Sequence, residues 1–317
     1  MRFLVVGAGS WGTAFSRVLL ERGHEVVLAC RTREQAEEIA ATGWNPRYLQ
    51  GVDLSGVVPV AVADAPGDVD VVAAAVPSQA FGDVVEALPG DAPVLSLVKG
   101  LDPETGERLS TRVGGRSVAV LSGPNIAEEI AAGLPTTTVI ASEDDFLAGR
   151  LQHALNSSLF RIYVNPDLVG VELCGAAKNV IALAAGGVDG LRLGDNAKAS
   201  LIARGLAEMT RLGEAAGARP ETFAGLAGIG DLVVSCCSSK TRNRQAGALI
   251  AQGLTPERAV AEIGQTVEGL TTAPILRDLS QRLGVELPIT EGVCAVLSGQ
   301  SITDLAAGLM GREPTEE

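Results

Sequence analysis

The sequence predicts an α/β fold class, with an N-terminal Rossmann-type doubly wound sheet followed by an all-α C-terminal domain. Short apolar runs alternate with helical patterns through the first 165 residues, and such alternation builds a parallel sheet with helices on both faces. From about Pro166 onward the strand-like runs stop and helical patterns take over. We therefore expect one domain over residues 1–165 and a helical domain over residues 166–317.

The first strand, MRFLVV, runs directly into a glycine-rich turn and a helix. Gly7, Gly9 and Gly12 have the spacing G-x-G-x-x-G, which is typical of dinucleotide sites when a strand precedes it and a helix follows. The first glycine permits a tight turn, the second lets the backbone approach a pyrophosphate, and the third lets the helix pack closely on the strand. Free N–H groups at the start of the helix favour phosphate. The stretch predicts a dinucleotide site; a tight turn that binds nothing is the alternative.

The second strand, HEVVLACR, ends at Arg31. An acidic residue near this point would bind the ribose 2′-hydroxyl of NAD(H), whereas a cation suits the 2′-phosphate of NADP(H). The next two residues, Thr32 and Arg33, are not acidic either. We therefore favour NADP(H) as the cofactor and keep NAD(H), or a solvated Arg31 without a ligand, as alternatives.

Further apolar runs predict the rest of the sheet, after a loop and a short edge strand between Asn45 and Pro59. These runs are VDVVAAAVP, PVLSLVKG, SVAVLSGP, TTTVIAS and FRIYVN. Ligands of a parallel doubly wound sheet lie beyond the carboxyl ends of its strands, where Lys99, Gly123 and Asn125 fall. Because the chain carries a net charge of −13, we expect Lys99 to contact an anion rather than to be a solvated turn residue.

The composition argues against several classes of partner. The net charge of −13 disfavours nucleic acid and anionic membrane surfaces, and we expect no apolar run long enough for membrane insertion. The five cysteines lack C-x-x-C spacing and there are only two histidines, so we expect no metal site and no Ser-His-Asp triad. Met1 enters the first strand directly, which leaves no room for a signal peptide. We expect a cytoplasmic protein with reduced thiols. The sequence does not decide the oligomeric state, and a homodimer is one alternative.

The segment VGVELCGAAKNVIALAAGGVDG predicts one long, apolar helix with Lys178 inside it. No carboxylate lies three or four residues from this lysine, and burying an unpaired ammonium is costly. Lys178 therefore either faces a wet cleft or pairs with an acid from another element, and both settings suit a general acid or base. A lysine that extends along the helix surface to solvent is the alternative. We expect Asp195 to cap the next helix and the tail GREPTEE to be disordered.

The segment GLAGIGDLVVSCCSSKTRNR departs from simple helical patterning. Asp231 follows a cluster of glycines and has apolar neighbours. Thr241, Arg242 and Asn243 stand at the start of the next predicted helix. A hydroxyl, a guanidinium that can bind bidentately and a helix N-terminus together predict a phosphate site. An exposed loop is the alternative.

Taken in order, these motifs resemble the bacterial NAD(P)-dependent glycerol-3-phosphate dehydrogenase family. The matching segments cover nearly the whole chain: GAGSWGTA, NPRYL, VPSQ, LVKGL, LSGPNIAEE, ELCGAAKNVIALAAGGVDGL, GDNAKA and GLAGIGDLVVSC…TRNR. The resemblance implies reversible reduction of dihydroxyacetone phosphate to sn-glycerol 3-phosphate, the backbone precursor of glycerophospholipids.

The resemblance also implies roles for individual residues. Lys178 matches the proton acceptor, Asp231 the aspartate that orients it, and Lys99 a lysine between cofactor and substrate. The residues that match substrate positions are Lys99, Gly123, Asn125, Lys178, Asp231, Thr241, Arg242 and Asn243. Those that match cofactor positions are Gly7, Gly9, Ser10, Trp11, Gly12, Arg31, Lys99, Ala127, Arg242 and Glu268.

Three positions differ from the family pattern. Asn125 stands where the family usually has Ser or Thr, and the pair Cys236-Cys237 replaces a single cysteine. Thr32 stands where a ring or a basic residue often helps to hold the adenosine. Two other functions stay open at this point: a β-hydroxyacid dehydrogenase, which would clamp a carboxylate instead of a phosphate, and a nucleotide-sensing module without turnover.

Overall fold

The computed structural model describes residues 1–302, so the predicted disorder of GREPTEE lies outside the described residues. The first half of the chain forms eight strands: β1 Arg2–Val6, β2 Glu25–Cys30, β3 Val57–Ala61, β4 Val71–Ala74, β5 Val94–Ser96, β6 Val118–Ser122, β7 Thr136–Ala141 and β8 Phe160–Asn165. Its helices are α1 Ser10–Glu21, α2 Arg33–Thr42, α3 Ser78–Ala87, α4 Ala127–Ala131 and α5 Asp145–Leu155, with 3₁₀ turns at Val62–Asp64 and Leu109–Arg112. This half is the predicted α/β sheet domain.

The strands form one sheet in the order β3-β2-β1-β4-β5-β6-β7-β8. Alternate residues of β1 enter different cores: Phe3 and Val5 pack on one face, and Leu4 and Val6 on the other. Because both faces are covered, the strands are almost continuously apolar.

The expectation of a wholly parallel sheet was wrong at one junction, since β6 and β7 pair antiparallel. The connection between them, residues 123–135, contains only the five-residue helix α4. That length is near the lower limit for a parallel crossover, so the chain turns back beside β6. The amino end of β7 consequently lies beside the carboxyl end of β6, and Thr138 donates a hydrogen bond to the Ser122 carbonyl (2.8 Å).

The described part of the second half is helical: α6 Leu168–Gly190, α7 Asp195–Ala215, α8 Pro220–Phe223, α9 Asp231–Cys237, α10 Arg242–Ala251, α11 Pro256–Ile263, α12 Glu268–Leu283 and α13 Pro288–Leu297. A π-helical turn, Leu226–Gly230, precedes α9. The cap prediction was wrong, because α7 begins at Asp195 itself and Gly194, with φ +88°, occupies the cap position. A positive φ is a conformation that glycine adopts without strain, which places the turn one residue earlier than predicted.

Helix α6 organises the second core. It packs among the other helices and also against the sheet through Val120 and Val139. Within residues 1–302, it is the one helix that is long and apolar enough by itself to cross a membrane, with a mean hydropathy of 1.6, so the expectation that no run has that length was wrong. However, 89% of its most apolar window is buried inside the protein. Its apolar character is used to fill the core between the sheet and the outer helices.

Candidate active site

The glycine turn between β1 and α1 is tightly closed on one side and open on the other. Gly7 has φ +106°, and a Cβ on Gly12 would lie 1.9 Å from the Gly7 carbonyl oxygen, so both positions require glycine. A Cβ on Gly9 would have no atom within 4 Å. Among the described residues no side chain caps α1, and its first turn contains no acidic residue. The turn therefore presents unpaired N–H groups to an open space, as a dinucleotide pyrophosphate requires.

The other residues predicted near the cofactor surround this turn. Trp11 packs on Phe15, and its buried Nε1 has no partner within residues 1–302. Ser10 lies 3.5 Å from the Gln265 Oε1. Arg31 is exposed at the end of β2, where its guanidinium is accessible to solvent. Thr32, which departs from the family pattern, caps α2 by accepting a hydrogen bond from the Gln35 N–H (3.3 Å).

Two lysines of the site share one buried carboxylate. Lys99 Nζ lies 2.6 Å from Asp231 Oδ2, and Lys178 Nζ lies 3.0 Å from Asp231 Oδ1. Asp231 is 1% exposed and Lys178 is 7% exposed. Of the two settings expected for a buried Lys178, the structure shows the second, an acid from another element, since Asp231 belongs to α9 and Lys178 to α6.

The charges in this group act on one another. Burial would raise the pKa of Asp231, but the attraction of Lys178 and Lys99 outweighs it and holds the pKa below its usual value. Burial lowers the pKa of Lys99 to about 8, against the opposing attraction of Asp231. Asp231 therefore carries a negative charge at neutral pH, and Lys99 exchanges its proton within the physiological range.

Two polar residues that the sequence analysis missed complete the group. Lys178 Nζ donates to Ser235 Oγ (2.7 Å), and Asn179 Nδ2 donates to the Lys99 carbonyl (2.8 Å). Ser235 lies one helical turn after Asp231, and Asn179 directly follows Lys178. The i, i+4 spacing from Asp231 is the one signal that could have indicated Ser235.

The loop after β6 forms the next wall of the site. Gly123, with φ +139°, accepts a hydrogen bond from Lys99 Nζ on its carbonyl (2.8 Å). Asn125 donates to Thr138 (3.1 Å), and its Oδ1 is buried without a partner in the part of the chain that the structure describes. Ser122 Oγ is also buried without a hydrogen-bond partner among residues 1–302. Ala127, 9% exposed, begins α4 beside this loop.

The predicted phosphate residues are brought to the site, but their side chains differ in freedom. The Thr241 hydroxyl donates to the carbonyls of Ser235 (2.7 Å) and Ser238 (2.9 Å). Asn243 donates to Asn179 Oδ1 (2.8 Å) and accepts from the Gly269 N–H (2.8 Å). These contacts join α10 to α6 and α12.

Arg242 has donors to spare. It is exposed, and Nη1 donates to the Thr266 carbonyl (2.9 Å). Burial is the main cause of the pKa shifts of Lys99 and Glu268, and the positive charge of Arg242 adds a small downward contribution to each, so Arg242 lies within electrostatic range of both predicted subsites.

Glu268, at the start of α12, contacts the sheet domain. It accepts hydrogen bonds from the Ser78 hydroxyl (2.6 Å) and the Ser78 N–H (3.3 Å), at the start of α3. Burial raises the pKa of Glu268 above its usual value, against these hydrogen bonds. The segment from Gln265 to Glu268 thus passes over the edge of the sheet that bears the glycine turn.

A glycine turn suited to a pyrophosphate, facing a lysine–aspartate pair in a helical domain, defines a nucleotide-dependent dehydrogenase. Within residues 1–302 no group of three or more His, Cys, Asp and Glu side chains could hold a metal ion.

Comparisons with known proteins identify the family. The family models described as the N-terminus and C-terminus of NAD-dependent glycerol-3-phosphate dehydrogenase match residues 3–148 and 167–306. A relative from Moorella thermoacetica, named glycerol-3-phosphate dehydrogenase [NAD(P)+], is 45% identical over 99% of this chain and 96% of its own. One of the same name from Streptomyces coelicolor is 44% identical over 99% and 97%. The chain belongs to the NAD-dependent glycerol-3-phosphate dehydrogenase family.

Solved structures agree. A glycerol-3-phosphate dehydrogenase from Coxiella burnetii superimposes with a TM-score of 0.94 at 36% identity, covering 98% of this chain and 99% of that one. A glycerol-3-phosphate dehydrogenase from Saccharomyces cerevisiae has a TM-score of 0.82 at 26% identity, covering 97% and 98%. The Rossmann-type sheet followed by a helical domain is therefore confirmed as the fold class.

Proposed function

We propose that the protein catalyses the NAD(P)H-dependent, reversible reduction of dihydroxyacetone phosphate to sn-glycerol 3-phosphate, for use in glycerophospholipid synthesis. The observation that carries the proposal is the buried Lys99–Asp231–Lys178 group. The family and the names of its members support the substrate. Cytoplasmic location belongs to the same proposal, as does a boundary between domains at residues 165 and 166, which falls between the two matched family segments.

The residues around the glycine turn fit a dinucleotide, since the turn offers unpaired N–H groups and open space over Gly9. We assign Gly7, Gly9, Ser10, Trp11 and Gly12 to hold it. Ala127, Arg242 and Glu268 would contact it from the far side. When bound, the reduced nicotinamide supplies the hydride of the reaction.

Arg31 supports a preference for NADP(H). It is exposed at the end of β2, where a 2′-phosphate would meet a guanidinium rather than a carboxylate. The neighbouring Arg33 is paired with Asp64 (2.8 Å), and we assign the contact with the 2′-phosphate to Arg31.

Lys178 is the proposed acid and base. Its ammonium is held between Asp231 and Ser235, so one of its N–H bonds is left to face the substrate oxygen. In the direction of reduction, Lys178 donates a proton to the C2 oxygen as the carbonyl carbon gains hydride. Asp231 holds the lysine in place through the contact between Oδ1 and Nζ (3.0 Å), and the charge on Lys99 favours the developing oxyanion.

Arg242 is the main proposed contact for the substrate phosphate, because its remaining guanidinium donors are exposed. Thr241 and Asn243 are bonded within the protein, so their part is mainly to hold the start of α10 in place. We assign Gly123 and Asn125, whose Oδ1 has no partner among the described residues, to contact a hydroxyl group of the substrate.

The test is oxidation of NADPH by the purified protein with dihydroxyacetone phosphate, followed by the absorbance of NADPH. Wild-type protein is expected to turn over. Lys178→Ala is expected to lose turnover by about 10²–10⁴-fold, which is typical of a missing general acid, and to keep its affinity for NADPH. Near-normal turnover of this variant would contradict the assignment of Lys178.

A further inference from the structure

Two buried amide side chains converge on one carbonyl oxygen of the glycine turn. Asn45 Nδ2 donates to the Ala8 oxygen (3.0 Å), and Gln35 Nε2 donates to the same atom (3.1 Å). Asn45 is 0% exposed and Gln35 is 7% exposed. Ala8 lies between Gly7 and Gly9, so both amides grip the middle of the turn from its buried side.

The two hydrogen bonds to the Ala8 oxygen also determine the direction of the Gly9 N–H, because both groups belong to one peptide plane. The chain has no cis peptide bond in its described part, so the Ala8 C=O and the Gly9 N–H point in opposite directions across one peptide plane. With the carbonyl held toward Asn45 and Gln35, the Gly9 N–H points away from the buried side. Among residues 1–302 this N–H has no acceptor, and the space over Gly9 is open.

The side chain of Asn45 makes three further hydrogen bonds. The same Nδ2 donates to Thr13 Oγ1 in the first turn of α1 (2.9 Å). Its Oδ1 accepts from the N–H groups of Arg47 (3.2 Å) and Tyr48 (3.3 Å). Asn45 therefore ties the NPRYL loop, the glycine turn and α1 into one unit, which gives this motif a structural purpose. Since the side chain is fully buried, it acts on a ligand only through the backbone that it holds.

We infer that Asn45 and Gln35 are positioning residues of the dinucleotide site. They fix the Ala8–Gly9 peptide so that the Gly9 N–H is presented to the pyrophosphate, and the inference rests on the cofactor of the proposed function. Freed from either amide, the peptide rotates more easily and the N–H is no longer pre-aimed. The affinity for the pyrophosphate falls, while contacts at the 2′-phosphate and at the substrate are kept.

The test is equilibrium binding to the full-length protein of NADPH, NADH and adenosine 2′-phosphate, the last of which has no pyrophosphate. Gln35→Met removes only the hydrogen bond to the Ala8 oxygen, whereas Asn45→Ala removes that bond together with those to Thr13, Arg47 and Tyr48. Each variant is expected to weaken NADPH and NADH by the same factor, about tenfold or more. The affinity for adenosine 2′-phosphate is expected to stay within about twofold. Gln35→Met keeps the length of the side chain and loses one contact only, so it serves even if Asn45→Ala is poorly folded.

Gln50→Ala is the matched control, because Gln50 donates to the Pro46 carbonyl (2.8 Å) in the same loop without touching the glycine turn. It is expected to bind all three ligands as the wild type does. Unchanged NADPH affinity in both test variants, or an equal loss for adenosine 2′-phosphate, overturns the positioning role alone. A wild-type protein that binds neither dinucleotide overturns the proposed function and the inference with it.

Discussion

Replacing Asp231 by asparagine removes the negative charge between the buried Lys178 and the partly buried Lys99 while keeping the size of the side chain. The carboxylate receives charge-assisted hydrogen bonds from Lys99 (2.6 Å) and Lys178 (3.0 Å), each worth about 1.5–3 kcal/mol. Because an uncompensated buried ammonium costs about as much again, we expect the free energy of unfolding to fall by about 3 kcal/mol or more. Lys99, whose pKa burial already lowers to about 8, limits this loss by releasing its proton.

The same substitution changes catalysis in a defined direction. Asp231 raises the pKa of Lys99, so its removal lowers that pKa below its present value of about 8. In the wild type, activity that depends on the charge of Lys99 is expected to decline as the pH rises past about 8. In Asp231→Asn this decline is expected to begin at a lower pH. The turnover number is expected to fall by about 10²–10⁴-fold, with the affinity for NADPH unchanged.

The assay is a pH series of NADPH-dependent reduction of dihydroxyacetone phosphate, together with thermal unfolding. Asp189→Asn is the matched control, since Asp189 also bridges two cations, Lys198 and Arg244, outside the proposed catalytic group. It is expected to lose stability without a shift in the pH profile. Asp231→Asn with turnover within threefold of the wild type and an unmoved alkaline limb would refute the reasoning.

Three further predictions concern single residues. Arg242→Ala is expected to raise KM for dihydroxyacetone phosphate by at least about tenfold, because a charged phosphate contact is lost; an unchanged KM would favour a carboxylate substrate. Arg31→Ala is expected to weaken NADPH about tenfold and leave NADH unaffected, and equal binding losses would remove its link to the 2′-phosphate. Burial raises the pKa of Glu208 from 4.5 to about 7, so folding takes up a proton and stability is lost as pH rises through that window. As the pH rises from 4.5 to 7, the free energy of unfolding of Glu208→Gln, measured by denaturant titration, is expected to rise by about 3 kcal/mol relative to that of the wild type. Parallel plots of this free energy against pH for the two proteins would contradict the prediction.

Much of the fold could be predicted from local pattern. Buried strands are apolar on both faces, and the G-x-G-x-x-G turn leaves few alternatives for the chain between β1 and α1. The antiparallel pairing of β6 and β7 could not be predicted from local pattern, because strand direction depends on how a short connection packs and not on the residues of either strand. The cap of α7 was misplaced by one residue, since Gly194 needs no side chain to turn the chain.

The candidate site divides in the same way. The sequence by itself determined that Lys178 needs either a wet cleft or an acidic partner if it is buried, because an unpaired ammonium in an apolar helix is too costly, and it predicted that the glycine turn faces a phosphate. Only the tertiary structure decided that Asp231 serves Lys178 and Lys99 together, and that Thr241 and Asn243 are used by the protein itself. The contacts of Asp231 with the two lysines join residues that are 53 and 132 positions apart in the chain, and local patterns hold no information about which distant groups packing brings within hydrogen-bonding distance.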